Sequence, residues 1–140
     1  MVKSDQGCKN KIGIVAQLNK SAVTFVLPQG DNKDFDTRVR IYVKKKDGSI
    51  IAQNENVAPG QPFPDPGTYG PYDLNIINAN STNVEFSDGK SELQIQPVGN
   101  DRWITNVKIS MGWSDGLTAA CESGNIIVDQ DVNTARWSNS

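Results

Sequence analysis

Between Asp36 and Lys44 the chain alternates residue by residue between two kinds of side chain. Val39, Ile41 and Val43 are apolar, and Arg38, Arg40, Tyr42 and Lys44 stand between them. Successive side chains of a strand point to opposite faces, whereas a helix would scatter those three around its circumference. The segment therefore predicts a half-buried strand with a basic outer face. The same period runs from Trp103 to Trp113. There Thr105, Val107, Ile109 and Met111 share a face with both tryptophans, and Asn106, Lys108 and Ser110 share the other. Leu74 with Ile76, and Leu93, Ile95 and Pro97, are shorter alternating sets. Ile12 to Leu18 and Ala22 to Leu27 read as early strands, and Ile126 to Val128 as a late one.

Turn residues punctuate these runs. Asp47-Gly48, after the strongest strand and before Ile50-Ile51, is the signal of a tight hairpin that needs positive φ. Ser87-Asp88-Gly89, Gly99-Asn100-Asp101 and Ser114-Asp115-Gly116 supply further turns. Short strands at this spacing predict an all-β fold, an antiparallel β-sandwich of about eight strands. At 140 residues the chain is expected to form one domain, residues 1–140. One stretch breaks the rhythm: Asn54 to Pro71 holds five prolines, each removing a backbone donor, so it cannot be a central strand. Phe63, Tyr69 and Tyr72 accompany it, either as packing anchors or as an exposed binding rim.

Chemistry is constrained first by what is missing. The sequence has no histidine, which removes Ser-His-Asp and Cys-His nucleophiles and most catalytic zinc sites. A carboxylate-based hydrolase stays open among sixteen acids, with nothing in the spacing to select a pair. A net charge of −2 gives no global field for nucleic acid, and no apolar run approaches the about 20 residues of a membrane span. Met1 to Asp5 lacks the apolar core of a secretory signal, so the chain reads either as cytosolic or as a mature exported segment, with the extracellular surface the favoured location. Cys8 and Cys121 lie near opposite ends. Paired, they would close a long loop worth roughly 4–5 kcal/mol in the chain-entropy account; unpaired, they are two buried thiols.

The acids ahead of the strongest strand are the candidate metal ligands. In an extended segment Asp34 and Asp36 point the same way, Asp31 lies just before them, and Asp101 enters the Trp103 strand from a second turn. Carboxylates so close repel unless hydrated, protonated or bridged by a cation. Calcium, which takes six to eight oxygen ligands, suits such loops. The spacing is not that of an EF-hand, and the alternative is a solvated polar turn. Arg38 and Arg40, with Lys44, Lys45 and Lys46, form a positive stripe able to meet phosphate, sulfate or a lipid headgroup, or simply a solvated face. Trp137, beyond the expected last strand, either stacks on a sugar or lipid interface or covers the core end. Tyr69 and Trp137 join Arg38 and Arg40 as the candidate ligand-binding residues.

Asp34-Phe35-Asp36-Thr37-Arg38-Val39-Arg40-Ile41-Tyr42-Val43, followed later by Trp103-Ile104-Thr105-Asn106-Val107-Lys108-Ile109, resembles the PLAT and C2-like β-sandwich families. There an acidic turn leads into an alternating strand, and a Trp-x-x-x-Val strand follows near the end. The opening glycine-threonine-aspartate of PLAT domains and the full aspartate set of C2 loops are not present. The resemblance implies a binding module with its metal site on loops at one end of the sandwich, Asp34 and Asp36 matching best. The expected function is thus a non-catalytic, calcium-assisted module for carbohydrate or lipid. The alternative is a structural or adhesive sandwich of a larger surface protein.

Overall fold

The computed structural model describes residues 16–30, 32–99 and 102–140. They form two antiparallel sheets packed face to face, a β-sandwich with nine strands among the described residues and one short helix. The strands are β1 (Leu18–Leu27), β2 (Arg38–Lys44), β3 (Ile50–Asn54), β4 (Gly67–Asp73), β5 (Asn75–Ile76), β6 (Lys90–Gln96), β7 (Arg102–Trp113), β8 (Thr118–Asp129) and β9 (Thr134–Ser138). One sheet has the order β4-β1-β7-β8, the other β5-β3-β2-β6-β9.

The two strongest alternating segments become central strands for the reason their sequence gives. Val39, Ile41 and Val43 of β2 are fully buried, as are Trp103, Thr105 and Val107 of β7, and each central strand is paired on both sides. Burying each Val, Ile or Leu contributes roughly 1.5–3 kcal/mol, so a one-residue slip of either strand would reverse its inner face and forfeit several such terms. Asp47-Gly48 closes the β2–β3 hairpin as expected. Gly48 has φ +93°, its N–H donates to the Lys45 carbonyl at 2.9 Å, and the Asp47 carboxylate accepts from the Ser49 N–H at 2.9 Å.

Several expectations change in detail. Ser87-Asp88-Gly89 is not a plain turn but the end of α1 (Asn83–Ser87). Thr82 caps that helix: its hydroxyl accepts from the Glu85 N–H, and the Glu85 carboxylate accepts from the Thr82 N–H. Phe86 then plugs the core. β8 is far longer than Ile126 to Val128, because a bulge hides its periodicity. Ser123 and Gly124 (φ +71°) together face Val107, so the inward set is Ala119 and Cys121 before the bulge and Ile126 and Val128 after it. Trp137 does not follow the last strand; it lies on β9 and pairs with Ser91. The proline-rich stretch gives its last residues to β4, an edge strand, where Pro71 costs no ladder bond on the open side. Residues 12–15 of the expected first strand, and Asn100 and Asp101 of the expected third turn, lie outside the described residues.

Registers fix which connections share an end. Arg38 pairs with Gln96, Leu27 with Gly67, Gln94 with Thr134 and Arg102 with Asp129. The β1–β2, β3–β4, β6–β7 and β8–β9 connections therefore all cross between sheets at one end. The β2–β3 and β7–β8 hairpins and α1 occupy the other.

Candidate functional site

At the crossing end the chain is pinned by an unusual residue. Lys33 is only 1% exposed, and fully buried lysines are rare unless paired. Its ammonium donates to the carbonyls of Asp34 and Gln61 and lies 4.9 Å from the centre of the Phe63 ring. Lys33 and Phe63 also exchange both backbone hydrogen bonds, at 3.3 and 3.0 Å. Phe63 is packed in turn between Phe25 at 5.4 Å, Tyr69 at 4.6 Å and Trp103 at 5.8 Å. The acidic loop and the proline-rich loop are thus clamped to the core and to each other.

Asp34 and Asp36 emerge from this clamp as exposed side chains on either side of Phe35, which is itself 64% exposed. The turn closes through the Thr37 N–H and the Asp34 carbonyl at 3.4 Å. Asp31 and Asp101, the other two candidate ligands, lie outside the described residues. Among the described residues no three acidic or cysteine side chains gather closely enough to hold an ion. Val98 in the β6–β7 connection and Val132 in the β8–β9 connection are each 60% exposed. Three neighbouring crossings therefore each present an apolar side chain.

The four candidate ligand-binding residues occupy different places. Arg38 donates from Nε to the Glu55 carbonyl at 2.9 Å, and Arg40 from Nη2 to Gln96 Oε1 at 2.8 Å. Next along the same face, Tyr42 donates to Glu55 Oε2 at 3.0 Å; burial first, then the Glu55 carboxylate, pushes its phenol up. Tyr69 stacks on Phe63, and its hydroxyl donates to the Pro64 carbonyl at 2.5 Å. Tyr69 and Tyr72 are half-buried packing partners of the core. Trp137 is half-buried against the core on the open side between β8 and β9, close to Cys121. Burial pushes the Cys121 thiol up, and its Sγ lies 3.5 Å from Asn139 Oδ1. Pairing with Cys8 falls outside the described residues.

A network that sequence reasoning did not assemble crosses the outer face of the five-stranded sheet. Tyr42, Glu92 and Arg136 stand in one cross-strand row, and Lys44, Lys90 and Ser138 in the next. Glu92 Oε1 accepts from Lys44 Nζ at 3.2 Å and from Arg136 Nε at 3.0 Å, and Gln94 donates to the second oxygen. These side chains leave the Glu92 side chain 4% exposed on a face where strand parity points it outward. Burial alone would raise its pKa; the hydrogen bonds from Gln94, Lys44 and Arg136 prevail and hold it below the usual carboxylate range. Lys44 was visible as part of the basic stripe. Glu92 and Arg136 were not, because only strand order brings β2, β6 and β9 together.

Several surface depressions lie on the sheets' outer faces, and two of them bear on function. One, of about 430 Å³, is lined by Lys44, Lys45, Lys46, Lys90, Glu92 and Arg136 among others. The other, a shallow trough of about 920 Å³, crosses the four-stranded sheet over Ala22, Ser110, Gly112 and Ala120, between Lys20 and Asp73. No helix among the described residues is long and apolar enough to cross a membrane. Comparison with protein-family models, with curated proteins and with solved structures finds no match for this chain.

Proposed function

We propose that the protein is a non-catalytic binding module that engages a carbohydrate or lipid surface through the crossing end of the sandwich, with calcium held there by Asp34 and Asp36. The observation that carries this is the presentation of Phe35. It is a largely exposed aromatic ring at the tip of a loop whose base is clamped by a buried lysine and two backbone hydrogen bonds. An exposed ring on a loop pinned at its base loses less backbone entropy on binding than one on a free loop, and it can stack on a sugar or enter a lipid interface. Val98 and Val132 widen the apolar contact. The opposite end also exposes Ile77, Val84 and Leu117, but beside the lysines of the β2–β3 turn.

The flanking carboxylates supply the metal part of the proposal. Two carboxylates give at most part of a calcium shell, so further oxygens from carbonyls, water, Asp31 or Asp101 belong to it. The likeness to PLAT and C2-like domains supports the same end, since it implies loops rather than sheet faces. Calorimetric titration with calcium, and melting with and without chelator, test the metal. Heat release and a higher melting temperature are expected, and their joint absence removes calcium from the proposal. Binding to a glycan panel and to mixed-lipid vesicles tests the surface. Phe35→Ser is expected to weaken that binding about tenfold without lowering the melting temperature, and undiminished binding would reject the loop end.

A structural or adhesive role is the second reading. It is favoured by the trough on the four-stranded sheet, where Ala22, Ser110 and Ala120 form a row free of bulky or charged side chains. A flat row of small residues suits a protein surface better than a small ligand. This reading is distinguished by calcium indifference and a partner recovered only by pull-down.

A further inference from the structure

We propose that the depression between the β2–β3 hairpin, the start of β6 and β9 is a binding site for a phosphate or sulfate group, with Lys46, Lys90 and Arg136 as its ligands and Glu92 as the residue that positions Arg136. It lies at the far end of the molecule from Phe35 and does not depend on the function proposed above.

Like charges are crowded together at this depression. Lys44 and Lys90 are direct cross-strand partners in the β2–β6 register. Like charges in that position repel and weaken the pair. Glu92 relieves Lys44 through the hydrogen bond at 3.2 Å, but among the described residues no carboxylate pairs with Lys90 or with Lys46. The depression is lined by five cations, Lys45 included, and by only Asp88 and Glu92 as acids, in a chain whose net charge is −2. Lys45 is drawn aside by Glu85 at 3.3 Å. The remaining excess stays positive and local.

Arg136 is held there by one edge only. Glu92 Oε1 holds Arg136 by Nε alone, at 3.0 Å. Among the described residues the two terminal guanidinium nitrogens have no hydrogen-bond partner, although Nε is fixed. A guanidinium steered by one edge offers its other N–H groups in the planar fork that matches two oxygens of a phosphate or sulfate. Lys90 sits beside it on β6, one pleat from Glu92, and Lys46 projects from the turn above. The backbone beneath the site is constrained, because its floor is paired sheet and its rim is closely packed. Gly89 approaches the Lys44 carbonyl so tightly that a Cβ there would stand 1.9 Å from the oxygen. A volume of about 430 Å³ admits a tetrahedral anion with part of the group that carries it.

The test is NMR titration of the full chain with sulfate and with inorganic phosphate, replacing chloride at constant ionic strength. Shifts confined to the Arg136 Nε–H, the Lys90 amide and the hairpin amides are expected. Shifts spread evenly over all lysines and arginines would overturn the site as general screening. Two further arms identify the carrier: a heparin-derived hexasaccharide, and vesicles containing a phosphoinositide. Tighter binding of one assigns the anion to a sulfated glycan or a lipid headgroup, and binding of free anion alone assigns it to a small solute. K46E/K90E, which alters two exposed side chains, is expected to weaken binding by at least about tenfold, and K90Q by less, both with the fold intact by melting. Equal affinity in wild type and K46E/K90E overturns the proposal, whatever Phe35→Ser does at the other end.

Discussion

The outer faces of the two sheets are built on the same backbone pattern and carry opposite chemistry. On the five-stranded sheet the outward rows are long and charged: Tyr42 with Glu92 and Arg136, Lys44 with Lys90, Arg40 with Gln94. They are laced by hydrogen bonds that leave a carboxylate nearly buried on a surface. On the four-stranded sheet the central outward row is Ala22, Ser110 and Ala120, and its neighbour contains Gly112. Hydrophobic burial is indifferent to this contrast, because both sheets fill the sandwich with their inner faces. Strand stability therefore rests on the inner residues, and the outer ones are free to differ. One face is laced by a network centred on a shielded carboxylate, whereas the other has, among the described residues, a single exposed cross-strand side-chain bond, Asn106 to Glu122 at 3.0 Å, beside its row of small residues.

The largest expected effect separates the faces by a single methyl group. Gly89→Ala, beside the charged face, forces a Cβ against the Lys44 carbonyl and should destabilise by about 3 kcal/mol or more. Gly112→Ala on the bare face meets nothing nearer than the Lys20 side chain at 3.4 Å and should be neutral or gain about 0.5 kcal/mol. Denaturant melts of the two variants measured side by side decide this, and similar losses would mean that the two faces tolerate an added methyl group equally.

A smaller effect is expected from Glu92→Gln, about 1 kcal/mol at neutral pH, since Lys44 and Arg136 are partly solvated and their attraction to the carboxylate is screened. Its pH dependence is the sharper signature. The folded-state pKa of Glu92 is lowered, so its contribution is present above the unfolded carboxylate pKa and disappears as pH falls through the folded value. Wild type and variant should therefore converge in acid. A gap that persists below that range would mean packing, not charge, holds the network.

The smallest effect is expected on the bare face. Ala120→Lys places a charge on an exposed position and should change stability by less than about 0.5 kcal/mol. If that trough is a protein-contact surface, the same variant should nonetheless abolish capture of the partner in a pull-down.

Much of the fold was legible because period two is a local property. Val39, Ile41 and Val43, or Trp103 through Trp113, need only their own backbone to declare a strand and its inner face. Where the pattern was interrupted, legibility failed for identifiable reasons. The bulge at Ser123 and Gly124 shifted the parity of β8, and the short β9 around Trp137 offered too few alternations to stand out. Thr82 and Glu85 did carry a capping signature, but α1 is so short that no helical period accompanies it.

The candidate sites divide along the same line. Local pattern was enough to indicate an antiparallel sandwich, to place Asp34, Phe35 and Asp36 ahead of its strongest strand, and to make that strand's outer face basic. These are contiguous features, and contiguous residues stay neighbours in any fold. The packed sheets were needed to bury Lys33 beneath Phe63, to let Glu92 draw Lys44 and Arg136 together, and to set Lys44 against Lys90. Those contacts join residues far apart in the chain through strand order and register, which arise from how all the inner faces pack at once and leave no mark on any one segment.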